Sequence, residues 1–347
     1  MASPQQLPPR RSIARPAPPP LTSPLRASDL IAGGLDDRSL RHSAARGLVT
    51  RLAPGVYVDS LAWRSLSSAE QYGARVRARL LRIPDARLIA SHWSAAALWN
   101  FPVLDSWPSE VQVIDPSRTR GHRTPTLVRR PGPIDPDDIL LDAGLVITTP
   151  SRTAVDIALT EGFTAAVLVF DHGLRHGLFE KGHLHAHLDR RPKARRLRAA
   201  RRAVDFADPG AASAAESFSR VAFLTTGMPI PLLQVPFFDS SGKIGDTDCF
   251  WSEFGIVGEC DGDLKYLDAR YRNGRTAERV VLDEKRRQTR LESHRLVRRV
   301  VRWDYALSRQ PERLAARLVD AGLPRLDARS AASRLASRAV QESAPID

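Results

Sequence analysis

Two cysteines, Cys249 and Cys260, are all that a chain of 347 residues carries. That excludes a disulfide scaffold and leaves buried free thiols as the expected state. No apolar run approaches the roughly eighteen residues of a membrane-spanning helix; Phe163 to Phe170 is the best of them. The first arginines are not followed by an apolar segment and a cleavage site, so no secretion signal is read and the expected location is the cytoplasm. Lysine is nearly missing, with 5 residues against 47 arginines. With abundant alanine, this points to a coding bias, which makes the formal charge of +13 a weak guide by itself. Clustering is the better one. Arg190 to Arg202 holds eight basic residues and no acid, and Lys265 to Arg302 holds thirteen against five acids. Clustered charge at a pI near 10.6 points to a polyanionic partner, with DNA the expected one.

The length predicts two or three domains. Residues 1–27 are rich in proline and arginine, contain no acid before Ser28 and have little to bury, so they read as a disordered basic tail. A short helix is expected over Ser28 to Ala32, then a helix over Asp37 to Arg46, capped by Asp36 and ended by Gly47. Leu48 to Leu52 and Val56 to Val58 flank a Pro54-Gly55 turn and predict a hairpin. Helix, turn, helix, hairpin is a small winged-helix unit over 28–66. Arg38, Arg41, Arg46 and Arg51 are its candidate DNA contacts. Residues 67–207 read as a mixed α/β middle domain: helices over Ser68 to Arg82, from Ser91, from Ser151 with a serine cap, and over Phe163 to Arg175, with strands at Val111 to Ile114 and Leu145 to Pro150. His183, His185 and His187 have the look of metal ligands, but on a helix successive members of this series lie about 200° apart and cannot converge.

The acids between residues 246 and 261 stand out most. Ile244 to Trp251 and Ile256 to Asp261 are short, apolar-rich and separated by a turn, which predicts adjacent antiparallel strands. Alternation puts Asp246 and Asp248 on one face, Glu259 and Asp261 on one face of the next strand, and both cysteines on the other side. Carboxylates crowded in this way repel unless something positive lies among them. A hard cation, Mg²⁺ or Mn²⁺, is the expected occupant. A helix containing Glu216 precedes the hairpin, and a charged helix over Thr276 to Ser293 and a strand over Leu296 to Trp303 follow it.

This order resembles the core of the PD-(D/E)XK nuclease fold, in the Vsr-like branch related to very-short-patch repair endonucleases. The residues carrying the likeness are Asp248 with Trp251 three on, Glu259-Cys-Asp261-Gly262, Lys265-Tyr266, Glu284-Lys-Arg-Arg287 and Val301-Arg-Trp303. The resemblance covers 208–322 and implies a restriction-endonuclease-like mixed sheet flanked by helices, with 323–347 a C-terminal helix or tail. It implies that Asp248, Glu259 and Asp261 are metal ligands, that Glu216 orients water, that Lys265 stabilises charge, and that Lys285, Arg286 and Arg287 contact DNA. Asp261 stands where that pattern usually has lysine, which leaves three alternatives: a shifted lysine, an extra ligand or a degenerate site. The region before residue 208 resembles the AbiEi family of abortive-infection antitoxins, through Leu48 to Val58, Ser91-His-Trp-Ser-Ala-Ala-Ala-Leu98 and Thr149 to Asp156. That likeness implies promoter binding and a cognate toxin partner. The expected fold class is therefore α/β (α+β), and the expected activity a metal-dependent endodeoxyribonuclease, with an inactive, antitoxin-type regulator as the alternative.

Overall fold

The computed structural model describes residues 25–26, 37–83, 87–142, 144–261 and 277–326. Lys265, the Asp36 cap, the helix expected over Ser28 to Ala32 and most of the two expected tails lie outside these residues. Among the described residues, twelve α-helices and three sheets, two of them mixed and one antiparallel, make an α+β fold, and no helix is long and apolar enough to cross a membrane. The chain forms two compact units, residues 1–162 with 176–201 and residues 163–175 with 202–347. Phe163–Arg175, expected within the middle domain, thus belongs with the C-terminal residues.

In the first unit, α1 (Asp37–Ala45) is followed by Gly47 at φ 73°, a left-handed turn that glycine adopts without strain. Strands β2 (Val49–Ala53) and β3 (Val56–Asp59) pair antiparallel as the expected wing. Leu25–Arg26, read from sequence as tail, forms a short strand β1 along the free edge of β3. An edge strand offers unpaired backbone groups to any neighbouring segment, and composition does not reveal that. Asp59 caps α2 (Ser60–Ser65), and a Ser67–Glu70 capping box starts α3 (Ser68–Leu80). Leu52, Ala53 and Val56 pack on Ala78, and Val58 and Trp63 on Ala74, so the hairpin and α3 share their cores.

A six-stranded sheet follows in the order β6-β7-β5-β4-β9-β8, comprising β4 (Ile89–Ala90), β5 (Val111–Ile114), β6 (His122–Thr124), β7 (Leu127–Arg130), β8 (Ile139–Asp142) and β9 (Leu145–Thr148). Helices α4 (His92–Leu98), α5 (Pro150–Glu161) and α7 (Lys181–Asp189) complete the layer. Helix α5 is capped by Thr149, whose hydroxyl accepts from the Arg152 amide, and Pro150 presets its first turn. The serine cap expected at Ser151 is corrected accordingly; that hydroxyl instead meets His187 Nε2 at 3.0 Å. Burial holds the His187 imidazole down to about 4, against the pull of Asp138.

The second unit contains α6 (Phe163–Arg175), the end of α8 (Leu197–Phe206), α9 (Ala214–Thr226) and a four-stranded sheet in the order β10-β11-β12-β13. Strands β10 (Leu232–Asp239), β11 (Gly242–Trp251) and β12 (Ile256–Asp261) are antiparallel, whereas β13 (Arg299–Asp304) joins β12 in parallel after crossing through α10 (Ala277–Glu292). The acidic hairpin is therefore central rather than an exposed edge. One face packs Cys249, Trp251, Cys260 and Trp303 against Phe223 of α9 and Leu314 of α12 (Pro311–Asp320), which follows the short α11 (Tyr305–Ser308). The other packs Phe250 and Val257 against Leu291 of α10. Both cysteines are free and buried. Burial pushes the Cys260 thiol up to about 12, as expected for an inert buried thiol.

Candidate functional site

The carboxylates predicted to share a face meet in the second unit, but arginine lies among them. Asp248 and Glu259 sit on neighbouring strands, and the Cys260 amide donates to Asp248 Oδ2 at 2.7 Å. Arg287, reaching across from α10, donates to Glu259 Oε1 and Oε2 at 3.1 and 3.2 Å. Its guanidinium also reaches the Asp246 carbonyl at 2.8 Å and Glu284 at 3.4 Å. Such a bidentate fork is the strongest way for a protein to neutralise a carboxylate. Burial works against the Arg287 charge, but the bond to Glu259 and the charges of Glu259 and Glu284 together raise its pKa. Gly245 makes room for this crossing: at φ 151° a Cβ there would lie 2.6 Å from Arg287 Nε.

A second arginine completes the pattern. Arg302 of β13 donates to Glu284 at 2.6 Å and lies 3.8 Å from Asp261. Asp246 bonds Lys243 at 2.8 Å. Arg287, Arg302 and Lys243 thus offset part of the acidic charge for which the sequence alone pointed to a metal ion.

Glu216 arrives from the first turn of α9, which Ser213 caps. Its carboxylate accepts from the Ala212 amide at 2.8 Å, the Ser213 hydroxyl at 2.9 Å and Gln234 Nε2 at 3.1 Å. Burial and then the charge of Asp248 hold it above the usual carboxylate range. Burial likewise raises Glu259, and Asp248 adds to the rise against Arg287. Asp248 is therefore felt by both glutamates, which makes it the hub of the cluster. Gln234 was not read from the sequence. It sits in β10 at φ 51°, a strained value for a side-chain-bearing residue, and a glutamine in an apolar strand gives no local sign of that.

Among the described residues, no three acid, histidine or cysteine side chains converge well enough to hold an ion. The chemistry of the donors nevertheless fits a hard divalent cation: Asp248, Glu259 and the Cys260 carbonyl would all offer oxygen, with thiols turned to the opposite face. Glu259 could serve only by parting from Arg287. Asp261 is 41% exposed at its side chain and leans toward Arg302.

The raised Glu216 carboxyl has a pH consequence. A carboxyl with a folded pKa above its unfolded one contributes stability at low pH and loses it as pH rises through the folded value. Glu216→Gln keeps the shape, and its amide can donate to Ser213. Its unfolding free energy relative to wild type should therefore rise between pH 4.5 and 8, measured by urea titration across pH; a constant difference would refute the strain at Glu216.

Of the candidate DNA contacts, Arg38, Arg41, Arg46 and Arg51 are exposed on α1, just beyond it and on β2, and Lys285 and Arg286 are exposed on α10. Arg287, expected with them, is turned onto Glu259 instead. The reason is helical geometry, which sends residues two apart to different faces.

Known proteins add little beyond this. No protein-family model matches the chain, and no solved structure does. Two uncharacterized proteins of Mycobacterium tuberculosis, MT2308 and Rv2248, are each 29% identical to it over 117 residues, which is 34% of this chain and 43% of theirs. The matched region thus spans less than half of those relatives' own length.

Proposed function

We propose that the protein is a DNA-binding phosphodiesterase, a Mg²⁺- or Mn²⁺-dependent endonuclease whose hydrolytic site is the Glu216–Asp248–Glu259 cluster. The observation that carries this reading is the helix–three-strand–helix–strand unit, with three carboxylates coupled through Asp248 at its centre. Asp248 and Glu259, with the Cys260 carbonyl, would hold the ion. When bound, it would neutralise charge at the phosphate and lower the pKa of water. Glu216, anchored by Ala212, Ser213 and Gln234, would orient the attacking water and accept its proton, a role favoured by its raised carboxyl pKa. Lys265 would stabilise developing charge, and Asp261 would be an accessory ligand. The exposed arginines of the helix–hairpin unit would hold the DNA.

A second reading has its own support. The Arg287 fork already satisfies Glu259 without any ion, as an inactive, antitoxin-type regulator working with a toxin partner would allow. Cleavage of supercoiled, nicked and mismatched DNA with Mg²⁺ or Mn²⁺ separates the two. The nuclease reading expects Asp248→Ala to lower the rate about a thousandfold or more, the scale of losing several kcal/mol of charge stabilisation. Wild type without cleavage on any substrate would leave the regulator.

DNA affinity should fall steeply with salt in either case. Removing Arg38, Arg41, Arg46 and Arg51 together should flatten the log–log slope by roughly 3 to 4, at about 0.9 per phosphate contact. Point substitution is preferable to deleting the region, because the hairpin shares its core with α3. An unchanged slope would reassign these arginines to solvent.

A further inference from the structure

The first unit contains a cavity of about 920 Å³ that the proposed chemistry does not use. Its wall includes seven arginine and lysine side chains against the carboxylates of Glu110 and Asp156. Several of these cations are already engaged. Arg123 Nε donates to Glu110 at 2.8 Å, Arg129 to Asp115 at 3.3 Å, and Arg190 to Asp138 at 2.8 Å. Arg152, 5% exposed, forks onto Asp156 and reaches Asp138 at 2.7 Å.

Three cations remain in excess. Arg130 makes no ion pair or side-chain hydrogen bond among the described residues, and its Nε is buried without a partner. Lys193 has no partner among them either. Arg191 donates to the His187 carbonyl at 3.1 Å, but its only carboxylates are distant, at 3.9 and 4.0 Å, and shared with Arg152. Burial and then the charge of Arg152 lower the Arg191 pKa, the sign of a cation short of anions. The same cavity is lined by Ile114, Val128 and Leu159. A concave site of this size with one apolar wall and a few converging charges is built for a small molecule rather than for a flat surface. His92 borders it at φ 51°; burial holds its imidazole down to about 4, so it is neutral and offers a hydrogen bond rather than a charge.

We propose that this cavity binds a phosphorylated small molecule of nucleotide size, with phosphoryl oxygens on Arg130, Arg191 and Lys193 and the planar part against Ile114, Val128 and Leu159. Arginine forks and a lysine point charge are the usual partners of phosphoryl oxygens. The site lies wholly within the first unit, so it stands or falls independently of the carboxylate cluster in the second.

The test is calorimetric titration of the full chain with ATP, GTP, inorganic pyrophosphate and adenosine. ATP or GTP should bind, more tightly than pyrophosphate, and adenosine should not bind. Arg130→Ala/Lys193→Ala should weaken nucleotide binding about tenfold or more, the loss of charge-assisted bonds. The unliganded melting temperature should hold or rise, because like charges are removed. Absence of nucleotide binding would overturn the proposal. So would binding that the double variant leaves unchanged, or nucleotide binding that fails while a short DNA duplex protects the Arg130 and Lys193 peptides from hydrogen exchange.

Discussion

Arg220→Met should destabilise the second unit by about 3–5 kcal/mol, the usual cost of removing one partner from a buried ion pair. Arg220 is 2% exposed on α9 and donates to Asp171 Oδ2 at 2.6 Å and to the Phe206 carbonyl at 2.5 Å, with its guanidinium 4.4 Å above the Phe206 ring. Asp171, on α6, also accepts from the Asp208 amide and the Ser217 hydroxyl, both at 2.8 Å. One arginine thus ties α6, the end of α8 and α9 together. Methionine fills much of the volume, so the loss comes from an unpaired carboxylate rather than a void. Burial already holds Asp171 above the usual carboxylate range, and losing Arg220 pushes it further up. A carboxyl raised in the folded state costs stability as pH rises through its folded pKa. The penalty should therefore be larger at pH 8 than at pH 4. Hydrogen exchange in the α6 and α9 peptides measures it locally, and Asp171→Leu added to Arg220→Met should recover much of the loss. Little change in exchange at pH 8 would show that the pair is dispensable.

The sequence made local elements legible where periodicity and caps agree. Phe163–Arg175 and Val111–Ile114 have the expected bounds, and Gly47 ends α1 as read. Strand alternation placed Asp248 and Glu259 on one face and both cysteines in the core. The motif tryptophans have a structural role: Trp251 Nε1 donates to the Pro229 carbonyl and Trp303 Nε1 to Ser219 Oγ. What escaped was non-local. Arg220 is one arginine among 47, and nothing nearby in the sequence marks it as buried. Arg287 looks like part of a basic run until α10 is laid on the sheet, and then its rotation decides between phosphate and Glu259. Strands β6, β7 and β8 are short, and only their partners define them. The group that relieves the acidic face is a question of tertiary packing, and the hairpin sequence could pose it but not answer it.

Arg287→Ala should make Mg²⁺ or Mn²⁺ binding about tenfold tighter or more, while the metal-free protein loses about 1–3 kcal/mol. The second effect comes first in the argument. Glu259 is 6% exposed and Arg287 is the cation that satisfies both its oxygens, so removing the arginine strands a buried acid next to Asp248. Burial already raises the Glu259 carboxyl, and without the fork it rises further. By linkage the damage should be small at pH 4, where the acid is protonated in both states, and should grow toward pH 8. Repulsion among the carboxylates, taken by itself, argues the reverse for this site, that deleting one of them is stabilising. With Arg287 present, Glu259→Ala should instead lower stability, by leaving the half-buried arginine with only the Asp246 carbonyl and a long contact to Glu284. Metal binding follows from the same bonds. An ion that uses Glu259 must compete with the guanidinium, and each 1.4 kcal/mol or so of internal competition removed is a factor of about ten in affinity. Adding Mg²⁺ to the Arg287→Ala protein should then restore its stability in a concentration-dependent way, since a ligand bound only to the folded state stabilises it. Glu259→Gln should bind no metal whether or not Arg287 is present. Thermal unfolding with and without Mg²⁺ at pH 7.5 reads all of these. If Arg287→Ala is destabilised but no divalent ion restores it, the arginine is the permanent occupant of the acidic face, and the regulator reading takes precedence over the nuclease.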